Sequence, residues 1–308
     1  MDVSSRFVLD PSLTNIPISA TALATMVKKV LVGYGIDVDA VSGWINTQTG
    51  QKADVTNISR GVFGATVGTD RLLKLFDKYH IKATWFIPGH SIESFPEQMA
   101  KLSAQQERDV LQKSIQVITD FTGKKPRGFT APAWTPSPST VNLLEEHGIE
   151  YDHSFMHHDS QLYYLPYPPQ QWKETDYKNL SAGDWMTPMS SLRPSSLVEI
   201  PANWHVDDWP AFQPQRGPGS SGFIDPHHIE RFWQEQFDFC YREYEHFVFP
   251  ISIHPQVSGK PQIVLLHERL IEWINQHEGV EWCTFEDMAT KFRKGEIQGV
   301  KVEGGVDM

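Results

Sequence analysis

The sequence predicts an α/β fold built from parallel strands and the helices that connect them. Short apolar runs of strand length recur along the chain. Segments with helical periodicity lie between these runs, and several of them end at a glycine, which is a common helix terminator. The repeated order of strand, helix and strand is typical of parallel βαβ units.

Regular elements are predicted throughout the first half of the chain. The helix in the middle of this half begins at Ser103, a favourable N-cap with Gln106 three residues later, and ends at Gly123. The predicted strands are 28–39, 81–88, 126–132 and 149–154, and the predicted helices are 66–80, 103–123 and 139–148.

The second half of the chain is less regular. Residues 157–222 are dense in proline, tryptophan and tyrosine, and this composition predicts long loops over one face, with a strand at 196–204 inside them. The regular pattern returns with helices at 225–246 and 261–277 and strands at 247–255 and 280–285. Seven or so parallel strands with crossover helices predict a closed barrel, whose functional residues lie at the carboxyl ends of the strands.

Length and composition are those of an ordinary globular protein. The 308 residues suffice for one large α/β domain, and the 40% hydrophobic and 21% charged residues form no biased tract. We predict an irregular leader at 1–27, a barrel domain at 28–290 and a C-terminal tail at 291–308.

The charge pattern narrows the range of partners. The net charge is −11, and lysine and arginine form no cluster that could neutralise phosphates. Nucleic acid and anionic membrane are therefore excluded as the main partner, and a small-molecule or carbohydrate substrate is expected. Aromatic residues in the predicted loops leave a homo-oligomer as an open alternative.

The cysteines and the N-terminus predict a cytoplasmic protein. Cys240 and Cys283 show no paired spacing, so we predict two buried thiols in a reducing compartment. The apolar-leaning run NIPISATALATMV is too short and too rich in serine and threonine to cross a bilayer. No basic region precedes it, which makes it a poor signal peptide.

Two carboxylates follow the first predicted strand. Asp37 and Asp39 are two residues apart, so in an extended chain their side chains point to the same side. Two buried carboxylates at close range repel each other, and such a pair usually shares a metal ion or a proton. The alternative interpretation is a solvated Asp-x-Asp turn at the strand end.

One histidine stands at the end of another predicted strand. His254 is followed by Pro255, which ends the strand's hydrogen-bonding pattern. Because the ordinary pKa of histidine is close to neutral, His254 is a candidate general acid. A structural histidine with satisfied hydrogen bonds is the alternative.

A second group of histidines lies in YDHSFMHHD, residues 151–159. His153 and His157 stand four apart and satisfy the letters of a His-Ser-x-x-His metal motif. In a strand this spacing has no fixed geometric meaning, so a structural or pocket-lining role is the alternative. Trp134, Trp204 and Trp209 lie in predicted strand-end loops, where an aromatic ring could line a pocket.

Several segments, taken in order, resemble the NodB-homology polysaccharide deacetylases, carbohydrate esterase family four. They are VLVGYGIDVDA, RGVFGATVGTDRLLKLFDKYHIKATWFIPGHSIESFPEQMA, ERDVLQKSIQVITDFTGKKPRGFTAPAW, YDHSFMHHD and ISIHPQVSGKPQ. The cytoplasmic branch with peptidoglycan-deacetylase-like, allantoinase-like and cyclic-imide-hydrolase-like proteins is the most similar. The resemblance implies a distorted (β/α)₇ barrel that hydrolyses a non-peptide C–N bond with a metal-bound water.

The resemblance also implies roles for the strand-end residues. Asp37 would be the general base, Asp39 a ligand of a divalent metal, with zinc the expected ion, and His254 the general acid that protonates the leaving nitrogen. The wider family has an arginine in an Arg-x-Pro motif that orients the base. This chain has Thr130 at that position and Arg127 three residues earlier, so that role is not assigned.

One part of the family pattern is missing. The family's other two metal ligands come from a His-x-x-x-His segment after the second strand, but here no histidine lies between His90 and His147. We predict that this segment, with one barrel strand, is deleted between Ala100 and Lys101. The chain as written is then expected to be a weak or inactive hydrolase. The alternative is an inactive barrel homologue that binds a carbohydrate or small ligand.

Overall fold

The computed structural model describes most of the predicted barrel. The described residues are 27–45, 55–88, 104–167, 192–213 and 224–302, together with Ser181 and Gly183. The predicted deletion near residue 100, and Ser103 as N-cap, lie outside them.

Strands and helices alternate along the described residues. The strands are β1 (Lys29–Asp37), β2 (Thr84–Phe86), β3 (Gly128–Phe129), β4 (Tyr151–Asp152), β5 (Tyr163–Tyr167), β6 (Arg193–Glu199), β7 (His246–Ile253) and β8 (Val280–Trp282). The helices are α1 (Ser42–Ile45), α2 (Val55–Phe63), α3 (Thr69–Tyr79), α4 (Ala104–Thr122), α5 (Thr140–Glu146), α6 (Trp209–Phe212), α7 (Pro226–Glu243), α8 (Pro255–Ser258), α9 (Pro261–Ile274) and α10 (Phe285–Arg293). A π-helical turn, Gly64–Gly68, joins α2 to α3.

The strands form two four-stranded sheets. In the first, β1 lies between β2 and β7, and β8 also pairs with β1. In the second, the order is β3, β4, β6 and β5, and only β5 is antiparallel to its neighbour. The parallel α/β class is therefore confirmed. Within the described part of the chain the sheets do not close into one ring, which is consistent with a distorted barrel.

The two sheets face each other across an apolar interior. This interior contains Leu31 of β1, Val248 of β7, Val198 of β6 and Phe285 of α10, all with 0% exposure. A second cluster fills the space between the first sheet and helices α3, α7 and α9. Because β1 is covered on both faces, its residues 30–36 are all buried, as expected for a central parallel strand.

Glycines allow the helices to approach the strands closely. A Cβ on Gly35 of β1 would lie 2.9 Å from the ring of Phe285. A Cβ on Gly259 would lie 2.3 Å from the Cα of Gly68, so the turn after α8 packs directly on the π-helical turn. Through this contact the α2–α3 segment packs against α8, which follows β7.

Several described elements were not predicted, namely helices α1, α2, α6, α8 and α10 and strand β5. Strand β5 lies in the region predicted to be loops, because Pro166 within it weakens a strand prediction. It is an edge strand with a register shift at Pro166, and both features accommodate a proline. Helix α10 follows strand β8, and its N-cap residue, Thr284, forms a capping box with Asp287.

The described end of the chain packs on the second sheet. Ile297 and Val302 are buried, and the N–H of Val300 donates to the carbonyl of Leu162. Cys240 and Cys283 are free and buried, as predicted. Among the helices described, none combines the length and the apolar character needed to span a membrane.

Candidate functional site

Strand register brings the predicted catalytic residues together. Ile36 of β1 pairs with Ile253 of β7, so the next residues, Asp37 and His254, leave two adjacent parallel strands at the same end. His254 Nε2 lies 3.9 Å from Asp37 Oδ2 and 3.9 Å from Asp39 Oδ2. We call these three residues, with Asp208, the mouth cluster.

Asp208 binds the imidazole of His254 at Nδ1, the ring nitrogen that does not face Asp37 and Asp39. His254 Nδ1 lies 2.7 Å from Asp208 Oδ1, and the backbone N–H of His254 donates to Asp208 Oδ2 at 2.9 Å. A carboxylate only accepts hydrogen bonds, so Nδ1 carries a proton. The other ring nitrogen, Nε2, is thereby directed at the two strand-end carboxylates.

The loop before α6 delivers Asp208 to this position. Asp207 forms an isolated parallel bridge with Ser252 of β7, and the N–H of Asp208 donates to the carbonyl of Ser252 at 3.2 Å. Trp209 then places its ring 4.7 Å from that of His254, and Trp44 stacks on Trp209 at 5.8 Å. Trp209 thus forms an aromatic wall beside the histidine.

Burial and charge shift the pKa values of the mouth cluster. Burial raises the pKa of Asp37 to about 7, although the nearby His254 opposes the shift. Burial also raises the pKa of Asp39. For His254, burial lowers the pKa, but the charge and hydrogen bond of Asp208, with the charges of Asp207 and Asp39, raise it well above 6.5. This direction favours the protonated form of the imidazole.

Gln256 supports Asp39 from helix α8. Its Nε2 donates to Asp39 Oδ2 at 3.3 Å, and its side chain is 1% exposed. Its Oε1 is buried and has no hydrogen-bond partner among the described residues. Neither Gln256 nor Asp208 was predicted from the sequence. The signal available was their place just after predicted strands, since Asp208 lies in VDDW and Gln256 follows His254-Pro255.

Ligand-type side chains converge at one place in the described residues. Asp207, Asp208 and His254 each offer an atom within 4.8 Å of the others, which is close enough to share an ion. Most of these atoms already have partners, since Asp208 and His254 bond each other and Asp207 Oδ1 accepts from the N–H of Trp209 at 2.6 Å. In the mouth cluster, Asp37 and Asp39 are the carboxylates that face the open side.

The histidines of YDHSFMHHD do not join the mouth cluster. His153 is buried inside the barrel, with Nδ1 2.7 Å from the carbonyl oxygen of Ile200 and Nε2 2.8 Å from Ser252 Oγ. Burial lowers its pKa to about 4. His157 instead contacts the hydroxyl of Tyr163 at 3.2 Å. Both histidines therefore have structural partners of their own.

Arg127 lies at the wrong end of the barrel to orient the base. It immediately precedes β3, at the amino end of the strands, and pairs with Glu150 Oε2 at 2.6 Å and with Glu286. Trp134 packs against the rings of His153 and Trp204, with the two tryptophan centroids 4.6 Å apart.

Comparisons with known proteins identify the family. No family model matches the chain. A peptidoglycan deacetylase of Helicobacter pylori is 47% identical over 290 residues, covering 87% of this chain and 98% of that protein. The peptidoglycan deacetylase-like protein FGM2 of Gibberella zeae is 36% identical over 312 residues, covering 91% and 90%. The fold matches the crystal structure of a Mycobacterium smegmatis protein assigned to the polysaccharide deacetylases, with a TM-score of 0.71 at 22% identity over 88% of this chain and 93% of that one. Identity at this level along nearly the whole of the Helicobacter relative means that the chain belongs to the polysaccharide deacetylase family, in its peptidoglycan-deacetylase branch.

Proposed function

We propose that this chain is a metal-dependent hydrolase of non-peptide C–N bonds, with Asp37 as general base, His254 as general acid and Asp39 as metal ligand. We further propose that its activity is weak in the chain as written. The observation that carries the assignment is the position of His254 Nε2, 3.9 Å from both carboxylates, while Asp208 occupies Nδ1.

Asp37 is suited to accept a proton near neutral pH. Burial raises its pKa to about 7, so the carboxylate and carboxylic acid forms coexist close to the working range. Its position at the carboxyl end of β1, where parallel barrels build their active sites, supports this role.

His254 is suited to donate a proton to a leaving nitrogen. The charge of Asp208 keeps the imidazole protonated, and the hydrogen bond at Nδ1 leaves the Nε2–H directed at the mouth. When Nε2–H is given up, Asp208 still accepts from Nδ1–H and keeps the ring in place. This division of roles between two nitrogens is the one that general-acid catalysis by histidine requires.

A divalent ion, with zinc expected, would polarise the substrate carbonyl and lower the pKa of a bound water. Asp39 would hold the ion. Hydrolytic sites normally use three protein ligands, and around Asp39 the described residues supply carboxylates and the imidazole that is assigned to proton transfer. This donor set falls short of the usual one, which supports weak metal binding.

The alignment supports a missing segment. The alignment with the Helicobacter relative is 290 positions long, but it covers only 87% of the 308 residues of this chain. Since 87% of 308 is fewer than 290, some aligned residues of the relative have no counterpart here. A segment bearing the histidine pair between Ala100 and Lys101 would account for them.

The names of the two relatives favour an N-acetylated sugar of peptidoglycan type as substrate, with a small amide or cyclic imide as the alternative.

Acetate release from an N-acetylglucosamine oligomer tests the proposal. The unmodified chain is compared with one that carries the relative's unmatched segment between Ala100 and Lys101. We expect the insertion to restore stoichiometric metal and to raise chelator-sensitive hydrolysis on the order of a hundredfold or more. Asp37→Asn in the longer chain should abolish the gain, whereas Asp238→Asn, at an exposed carboxylate of α7, should leave it intact.

Two outcomes would contradict the proposal. Equal chelator-sensitive activity without the insertion would overturn the claim of impairment. A chain with the insertion that binds metal and oligomer but releases no acetate would overturn the hydrolase assignment and favour a carbohydrate-binding homologue.

A further inference from the structure

A row of buried polar side chains extends from Asp208 into the core. Ser258 Oγ lies 2.5 Å from Asp208 Oδ2 and 2.9 Å from His267 Nε2. His267 Nδ1 lies 3.2 Å from the hydroxyl of Tyr34. Ser258, His267 and Tyr34 all have 0% exposure, and nothing in the roles assigned to the mouth cluster uses them.

The available protons allow only one direction for these hydrogen bonds. Asp208 can only accept, and Ser258 has a single hydroxyl proton, so Ser258 donates to Asp208. Its oxygen must then accept from His267 Nε2–H. His267 Nδ1 is left without a proton and accepts from the Tyr34 hydroxyl. Donation toward the carboxylate is also the stronger arrangement, because the acceptor is charged.

The surroundings of His267 agree with this direction. Its ring packs between aromatic rings, 5.5 Å from that of Tyr34 and 6.0 Å from that of Trp233. Burial lowers its pKa to about 4, so the ring is neutral and has one N–H to place. A neutral ring with Nε2–H satisfies Ser258 and Tyr34 together. In the opposite tautomer Nε2 and Asp208 Oδ2 would compete for the single hydroxyl proton of Ser258, and one of them would be left without a donor.

We propose that Tyr34, His267 and Ser258 are positioning residues that lock the Asp208 carboxylate and thereby aim Nε2 of His254 at Asp37 and Asp39. Asp208 Oδ2 receives the Ser258 hydroxyl and the His254 backbone N–H, while Oδ1 receives His254 Nδ1–H. With three donors on two oxygens, the carboxylate cannot turn.

We call the hydrogen bonds from Tyr34 through His267 and Ser258 to Asp208 the relay. It links parts of the chain that lie far apart in sequence. Tyr34 belongs to β1, the strand that ends at the base, whereas Ser258 and His267 belong to α8 and α9, which follow the acid. The role of the relay in catalysis rests on the proposed hydrolase function. Its predicted effect on the orientation of His254 does not, because that orientation can be measured without turnover.

NMR of the full-length, metal-free chain with ¹⁵N-labelled histidine tests the relay. In the unmodified protein, His267 should be a single neutral Nε2–H tautomer throughout the neutral pH range. In Ser258→Ala, exchange of the His254 Nδ1 proton with water should become about tenfold faster, the equivalent of losing one hydrogen bond. Ser195→Ala removes another buried serine hydroxyl, which bonds the carbonyl of Leu165, and should leave that exchange rate unchanged.

A second pair of variants tests the far end. Tyr34→Phe leaves His267 Nδ1 without its donor and should shift the ¹⁵N resonance of that nitrogen while Nε2 keeps its proton, whereas Tyr163→Phe, which removes a buried hydroxyl beside His157, should leave both His267 resonances unchanged. An Nδ1–H or protonated His267 in the unmodified chain would overturn the relay, and this reading stands even if a variant does not fold. Unchanged His254 exchange in folded Ser258→Ala would overturn it too. Absence of hydrolysis would count only against the proposed function.

Discussion

Each of the two sheets ends in a group of carboxylates, and the negative charge of the two groups is compensated in different ways. In the first sheet, Asp37, Asp39 and Asp208 surround the imidazole of His254 at an open mouth. In the second, Asp152 ends β4 and Glu199 ends β6, both with 0% exposure. We call Asp152 and Glu199 the carboxyl pair.

Backbone and hydroxyl groups hold the carboxyl pair, and no cation does so among the described contacts. Glu199 Oε1 accepts from the N–H groups of Ser154 and Phe155, and Asp152 Oδ1 accepts from Ser154 Oγ. The remaining oxygens, Asp152 Oδ2 and Glu199 Oε2, accept no hydrogen bond from any other described group, and the two carboxyl groups hydrogen-bond each other. Burial raises the pKa of Asp152 to about 7, and burial and the charge of Asp152 raise that of Glu199.

The comparison shows why position at a strand end does not by itself define a reactive group. Both groups stand at the carboxyl ends of parallel strands, where barrel enzymes build their sites. The mouth cluster contains a histidine whose pKa is raised, and it opens to solvent, which suits it to the proposed proton transfers. The carboxyl pair is sealed and is compensated by retaining a proton, so its role is structural.

The largest effect is expected from breaking the charge balance of the mouth cluster. Asp208→Ala removes the acceptor of a buried imidazolium and should lower the free energy of unfolding by about 3–5 kcal/mol. Denaturant unfolding at neutral pH measures it. Asp238→Ala, at an exposed carboxylate, is the control and should have little effect. A loss of equal size in the two variants would refute the view that Asp208 compensates His254.

The pH dependence of stability tests the carboxyl pair. Its pKa values are raised on folding, so between the ordinary Asp value of 3.8 and about 7 the folded state binds more protons than the unfolded state. The stability from this pair is therefore complete below the lower value and is lost as the pH rises through the higher one. The slope approaches ~1.4 kcal/mol per pH unit for each proton involved.

Glu199→Gln separates this effect from other titrations. The amide keeps an oxygen for the N–H groups of Ser154 and Phe155 and offers an N–H to Asp152, so no proton need be retained. Thermal unfolding across this range should show a flatter profile than in the unmodified chain. Glu243→Gln, at the exposed end of α7, should keep the original slope. A profile unchanged by Glu199→Gln would mean that the pair holds no proton.

A smaller effect is expected at the contact between the sheets. His153 bridges Ile200, just after β6, to Ser252 of β7, so His153→Ala leaves two buried partners unsatisfied. The free energy of unfolding should fall by about 1–3 kcal/mol. Metal content, measured on the same preparation, should not change. If it fell in step with the substitution, His153 would be a metal ligand after all.

The smallest effect is expected at Arg127. Its ion pairs with Glu150 and Glu286 are half-exposed, so Arg127→Met should change the free energy of unfolding by less than about 1 kcal/mol. Hydrolysis by the chain that carries the inserted segment should stay the same. A large loss of activity with unchanged stability would restore Arg127 as a candidate for orienting the base.

Local sequence was sufficient to predict most of the first sheet and the ends of its strands. The apolar run before Asp37 and the run before His254 are long enough to require buried strands, and parallel order then places both residues at the same end of the barrel. Strand β5 escaped prediction because Pro166 conceals it, and only its place at the edge of a sheet explains why it forms.

The sequence by itself determined the parallel α/β class, the order of the main strands and helices that it predicted, and the identity of Asp37, Asp39 and His254 as strand-end polar residues, because these depend on periodicity within short segments. Only the tertiary structure decided which carboxylates meet a cation. Asp208 reaches His254 across 46 residues of chain through a bridge to β7, and Asp152 and Glu199 are sealed by the packing of the second sheet. Burial and charge balance arise between distant segments, so no local pattern could have separated the carboxylates at the open mouth from the sealed ones.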